Sequence, residues 1–201
     1  MTVLVGRQAP EFVAPAVLAD GTIVEDFALQ AAIKDKYAVI VFYPLDFTFV
    51  CPSELIALDH RVAKLKELGV EVMAVSIDSH FTHNAWRNTP INQGGIGALQ
   101  YTLVADMNHQ IVQSYGVEHP EDGVALRGTF LLDKNGVVRH QVVNDLPLGR
   151  NMDEIIRMVE ALQFFEANGE VCPAGWQKGQ SGMDASPDGV AEYLSGHAQS
   201  L

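Results

Sequence analysis

Cys51 is the residue of this sequence whose type and setting point most directly to chemistry. It stands in Tyr43-Pro44-Leu45-Asp46-Phe47-Thr48-Phe49-Val50-Cys51-Pro52-Ser53-Glu54, between a strand-like apolar run and a helix-like amphipathic one. Pro52 has no N–H and a fixed φ, so it suits the first helical position and puts Cys51 at or beside a helix N-terminus. Unpaired backbone N–H groups and the positive end of the helix dipole meet there. Both favour the thiolate, the nucleophilic form of cysteine. The loop also follows the carboxyl end of a strand, where α/β sheets locate their sites. A buried, inert cysteine is the competing reading of the same residue. The other cysteine, Cys172, lies far downstream in Val171-Cys172-Pro173-Ala174-Gly175-Trp176.

The elements that must hold Cys51 read as alternating strands and helices, the pattern of an α/β fold. Tyr37 to Tyr43 is a continuous apolar run rich in β-branched residues, which predicts a strand buried on both faces, and Glu71 to Ile77 reads the same way. Between them Leu55, Leu58, Val62 and Leu65 recur at helical spacing until Gly69 stops the run. Together they make a right-handed βαβ unit. A third strand is expected at Tyr101 to Ala105. Thr129 to Leu132 and Val137 to Val143 flank Asp133-Lys134-Asn135-Gly136, whose Asn-Gly supplies the positive φ angles of a tight hairpin. A helix follows with Ile155, Ile156, Val159 and Leu162 on its apolar stripe, a capping box from Asn151 to Glu154, and a stop at Asn168-Gly169. The order βαβ then ββα is the thioredoxin arrangement with insertions. From Glu170 onward the chain is rich in Gly, Ser and Pro without a long periodic pattern. We therefore divide it into a thioredoxin-like domain over residues 1–169 and a C-terminal arm over 170–201.

Composition excludes several classes of function. With 201 residues and 48% apolar side chains the chain can bury a substantial core. Thirteen basic against 25 acidic residues give a net charge of −12, which argues against nucleic acids and anionic membranes as partners. The opening Met1-Thr2-Val3-Leu4-Val5-Gly6-Arg7 breaks too early for a signal peptide, and no apolar run is long enough to span a bilayer. These features predict a cytoplasmic protein. In that compartment two cysteines are more often chemical than structural.

Phe47-Thr48-Phe49-Val50-Cys51-Pro52-Ser53-Glu54 resembles the active-site signature of the peroxiredoxins, thiol peroxidases built on a thioredoxin fold. The resemblance extends through Gly6-Arg7-Gln8-Ala9-Pro10, Val75 to Phe81 and Val171 to Trp176, covering essentially the whole chain in order. The subtype is similar to the typical two-cysteine group, which includes the peroxidase component of bacterial alkyl hydroperoxide reductase and the thioredoxin peroxidases. The resemblance implies that Cys51 is the peroxidatic cysteine, that Pro44 shields its thiolate, and that the Thr48 hydroxyl bonds the sulfur and the attacked oxygen. It makes Arg127, in Ala125-Leu126-Arg127-Gly128-Thr129, the cationic partner of the site, with Glu54 and Arg150 in support. Cys172 of one protomer would be the resolving cysteine for Cys51 of the other. A cationic side chain beside a thiol lowers its pKa, and donors aimed at the leaving oxygen lower the barrier to O–O cleavage. Without the resemblance Arg127 would read as a surface arginine and Thr48 as a loop or cap residue.

The resemblance further implies hydroperoxides as substrates, no cofactor, thioredoxin or a flavoprotein disulfide reductase as electron donor, and a homodimer assembling into a ring of ten. A chaperone-like ring assembly is a second role carried by relatives. A thioredoxin-like disulfide oxidoreductase is disfavoured, because Thr48 occupies the position of the first cysteine in Cys-x-x-Cys. Asp78, His80 and His83 offer metal-ligating types without a matching second cluster. Gly94-Gly95-Ile96-Gly97 lacks the Lys and the frame of a phosphate-binding loop. It resembles the Gly-Gly-Leu-Gly insertion of easily overoxidised peroxiredoxins, whose companion Tyr-Phe is here Tyr193-Leu194.

Overall fold

The computed structural model describes residues 3–199 and Leu201. Met1 and Thr2, which open the segment read above as too short for a signal peptide, lie outside the described residues. Two compact units follow one another, Met1–Met152 and Asp153–Leu201.

The first unit contains strands β1 (Val13–Val17), β2 (Ile23–Ala28), β3 (Tyr37–Phe42), β4 (Val70–Ser76), β5 (Thr102–Ala105), β6 (Arg127–Leu132) and β7 (Val138–Asn144). Helices α1 (Leu29–Ala32), α2 (Cys51–Glu67), α3 (His80–Asn88) and α4 (Gln110–Ser114) lie between them in sequence. The strands form one seven-stranded sheet in the order β2-β1-β5-β4-β3-β6-β7. β3, β4 and β5 are mutually parallel, whereas β6 runs antiparallel to β3 and β7 antiparallel to β6. Every residue of β3 is buried, as the unbroken apolar run requires of a strand covered on both faces. Helix α2 crosses from β3 to β4 and packs on β4, burying Leu55, Leu58, Val62 and Leu65. This is the α/β, thioredoxin-like order expected from the sequence.

The first unit differs from the local readings in one turn and in several elements. In the hairpin between β6 and β7 only Gly136 has a positive φ, 76°; Asn135 does not share it. The Asp133 carboxylate accepts from the N–H groups of Asn135 and Val137, and the Gly136 N–H donates to Asp133 O. The turn is therefore a three-residue loop closed by a left-handed glycine rather than a two-residue Asn-Gly turn. The elements that differ are the N-terminal hairpin of β1 and β2 and helices α1, α3 and α4, none of them among those expected from sequence. β2 is largely solvent-facing, so it lacks the apolar signature by which β3 and β4 are recognised.

The second unit comprises α5 (Met152–Asn168, its first residue in the first unit), the segment that follows it, and α6 (Pro187–His197). Within it Val171 pairs with Met183, and Trp176 stacks on Phe164 with ring centroids 4.8 Å apart. Helix α6 lies in the segment read above as an arm without a long periodic pattern. Its local signals are a cap, Ser186 accepting from Gly189 N, and Pro187 in the first turn.

Candidate active site

Cys51 is the first residue of α2, at the end of the loop that leaves β3. Its side chain is 1% exposed, and the thiol is free. Arg127 Nη1 lies 3.5 Å from Cys51 Sγ. The sheet explains a contact that spacing conceals. β6 runs antiparallel to β3, with Thr129 opposite Val41, so the first residue of β6 comes to rest beside the end of β3 and the loop it feeds. Arg127 is itself 3% exposed, which removes the surface-arginine reading.

Glu54, one turn into α2, holds two arginines. Arg127 Nη1 donates to Glu54 Oε2 at 2.8 Å, while Arg150 donates to both carboxylate oxygens from Nε at 2.9 Å and Nη2 at 2.8 Å, and its backbone N–H adds a bond of 2.7 Å. Arg127 Nε donates to Leu146 O, and Arg150 Nη1 to Gly128 O and Thr129 Oγ1. The guanidinium facing the sulfur is thus fixed at both of its edges. Burial works against the charge on Glu54, but the hydrogen bonds and charge of Arg150, with the charge of Arg127, outweigh it and hold the carboxyl below its ordinary range. A carboxylate of this kind stabilises the fold above its unfolded pKa, about 4.3, and that contribution is lost as pH falls through the lower folded value. Glu54→Gln is therefore expected to cost about 3 kcal/mol at pH 7, because two buried guanidiniums lose their counter-charge. Chemical denaturation of both proteins should show this gap narrowing below about pH 4; a gap independent of pH would contradict the charge argument.

Pro44 is buried and Thr48 half-buried in the loop before Cys51. The Thr48 hydroxyl donates to Leu45 O at 2.8 Å, so its proton is committed within the loop and its oxygen remains an acceptor. Cys172 belongs to the second unit. Its half-buried thiol donates to Ala161 O of α5 at 3.4 Å. Burial pushes this thiol up, partly offset by the charge of Arg157, which also bonds Trp176 O at 2.9 Å.

The remaining residues singled out by type do other work. Gly95 packs where a Cβ would lie 1.8 Å from Thr89 O, and Trp86 Nε1 donates to Gly94 O; this glycine run is shaped by close packing on α3. Asp78 and His83 both bond Asp46. Among the described residues no group of three His, Cys, Asp or Glu is arranged to hold a metal ion. Asp46 escapes sequence reasoning, since nothing in its spacing from His83 announces a partnership.

A cysteine sulfur at a helix N-terminus, faced by a rigidly held guanidinium, suits a displacement in which negative charge passes from sulfur to a leaving oxygen. Comparisons with known proteins relate the whole chain to one family. Residues 5–141 match the AhpC/TSA family, and residues 161–196 match the C-terminal domain of 1-Cys peroxiredoxin. The chain is 54% identical over 191 residues to alkyl hydroperoxide reductase C of Helicobacter pylori, covering 95% of this chain and 96% of that one. It is 47% identical over 193 residues to peroxiredoxin-2 of Macaca fascicularis, covering 96% of each. Among solved structures, the reduced 2-Cys peroxiredoxin of Plasmodium vivax superposes with a TM-score of 0.92 at 47% identity, covering 96% of this chain and all of that one.

Proposed function

This chain belongs to the AhpC/TSA family and is a two-cysteine peroxiredoxin, a thiol-dependent peroxidase; from that premise we propose that Cys51 is its peroxidatic cysteine and Cys172 its resolving cysteine. The observation that carries the first assignment is the 3.5 Å approach of Arg127 Nη1 to Cys51 Sγ at the start of α2. The Cys51 thiolate attacks the terminal oxygen of a hydroperoxide, and the O–O bond breaks. The departing oxygen takes up a proton to leave as alcohol or water, and Cys51 becomes a sulfenic acid. Arg127 stabilises the charge moving along the S–O–O axis, Glu54 and Arg150 keep it aimed, Pro44 shields the sulfur from water, and Thr48 receives the hydroperoxide O–H on its free lone pairs. Hydrogen peroxide and small alkyl hydroperoxides fit a sulfur as enclosed as this one.

Cys172, carried on the arm of residues 170–201, then condenses with the sulfenic acid of a partner protomer and releases water. The disulfide is returned to two thiols by thioredoxin or a flavoprotein disulfide reductase. The working unit is a homodimer, assembling into a decamer in the cytoplasm. Among the described residues no helix is long and apolar enough to cross a membrane, which agrees with that setting, and the chemistry runs without a cofactor. Because Cys51 is 1% exposed, the first turn of α2 must open before its sulfur can meet Cys172. A chaperone-like role of the ring would be a second activity of the same assembly.

Peroxide-treated protein is expected to migrate as a covalent dimer on non-reducing denaturing gels and as a monomer after a thiol reductant. Cys172→Ser should react once with peroxide, stall as sulfenic acid without turnover, and accumulate sulfinic acid with further oxidant. A covalently closed monomer bridged from Cys51 to Cys172 would show that resolution is intrachain and would remove the partner-protomer assignment.

A further inference from the structure

We propose that Asp46 and His83 are a positioning pair: their buried hydrogen bond fixes the loop that carries Pro44 and Thr48, and with it the reactivity of Cys51 toward peroxide. This deepens the reading above and rests on Cys51 being the thiol that peroxide oxidises. Neither residue touches the sulfur.

Beyond Tyr43, whose N–H still donates to Val75 O of β4, the segment between β3 and α2 belongs to no strand or helix, so side chains must shape it. Asp46 supplies the anchor. His83 Nδ1 lies 2.7 Å from Asp46 Oδ2, both side chains being fully buried. The Tyr43 hydroxyl donates to Asp46 Oδ1 at 2.8 Å. The Asp46 N–H donates to Asp78 Oδ2 at 2.9 Å, and Ser76 Oγ donates to that same oxygen at 2.7 Å. His83 Nε2 in turn faces Val104 O at 3.2 Å. The carboxyl ends of β3, β4 and β5 and the first turns of α3 thus converge on one loop residue. Both nitrogens of the His83 ring thus face an oxygen.

The residues after Asp46 show what the anchor must overcome. Phe47 has φ +53°, a left-handed conformation unfavourable for any residue with a Cβ, and such residues persist where their surroundings over-determine them. Thr48 then turns back so that its hydroxyl reaches Leu45 O. With Asp46 held from three sides the turn from Leu45 to Thr48 has one geometry. Released, Phe47 would relax toward negative φ and carry Thr48 with it.

The test uses two amides that divide the functions of the imidazole. The amide nitrogen of Asn can occupy the place of Nδ1 and still donate to Asp46, whereas that of Gln reaches the place of Nε2 and serves Val104 instead. In the full-length Cys172→Ser protein, which isolates the first oxidation, rapid mixing with hydrogen peroxide gives the second-order rate constant of Cys51. His83→Asn is expected to stay within a few-fold of the parent. His83→Gln is expected to fall about 100-fold, the penalty of a displaced contact in a reacting site, while its Cys51 becomes more rapidly alkylated by a bulky maleimide as the loop loosens. Circular dichroism and thermal melts confirm that both variants are folded. Equal rate constants for the two variants, whether high or low, would overturn the proposal, because a merely structural histidine does not distinguish them. Failure of the parent to be oxidised at Cys51 would instead refute the assignment of that residue.

Discussion

Cys51→Ser is expected to leave no peroxide consumption above the uncatalysed background while the protein keeps its fold. A serine hydroxyl fills the same buried position at the start of α2, and its oxygen can accept from Arg127 as the sulfur does. Core packing and the Glu54 ion pairs are then undisturbed. What disappears is the nucleophile: an alcohol without a neighbouring general base is a poor one, and the groups around residue 51 are arginines and a carboxylate already committed to them. Following peroxide loss with purified protein and a reductant, beside a thermal melt, checks both halves. Consumption near the wild-type rate would remove Cys51 from the chemistry.

Arg127→Ala should lower the rate constant for reaction with peroxide by about 100-fold or more, the usual cost of deleting a donor aimed at developing charge. The loss should fall on the first oxidation and leave the later thiol–disulfide step intact, so a single-turnover experiment in the Cys172→Ser background would carry the whole effect. Arg127→Lys should recover only part of it. One ammonium cannot reach Leu146 O, Glu54 and the sulfur together, as the guanidinium does through Nε and Nη1. A rate constant unchanged in Arg127→Ala would mean that proximity to the sulfur has no catalytic consequence.

Residues far from the sulfur are coupled to it through Glu54 and Asp46. Glu54 sits one helical turn from Cys51 and ties Arg127 to Arg150. Asp46 ties the preceding loop to β4, β5 and α3. The two buried networks share no residue, and variants in one should add to variants in the other unless both displace the same atom.

The amino-acid sequence by itself determined the elements around Cys51, because their signals are local. A β-branched apolar run specifies β3, the i, i+3, i+7 and i+10 spacing of Leu55, Leu58, Val62 and Leu65 specifies α2, and Pro52 specifies where that helix begins. The motif around Cys51 carried the family. The same local rules did not reach β2, whose residues are mostly solvent-facing, or the turn at Gly136, where the Asp133 carboxylate rather than the Asn-Gly pair selects the geometry. Tertiary structure alone decided which charges meet. Arg127 reaches Cys51 because β6 is hydrogen-bonded antiparallel to β3, and His83 reaches Asp46 because α3 follows the strand next to β3. Such pairings join residues far apart in the chain, whose contact depends on strand order. Strand order is set by the burial of whole faces, a sum over many side chains that no single motif encodes.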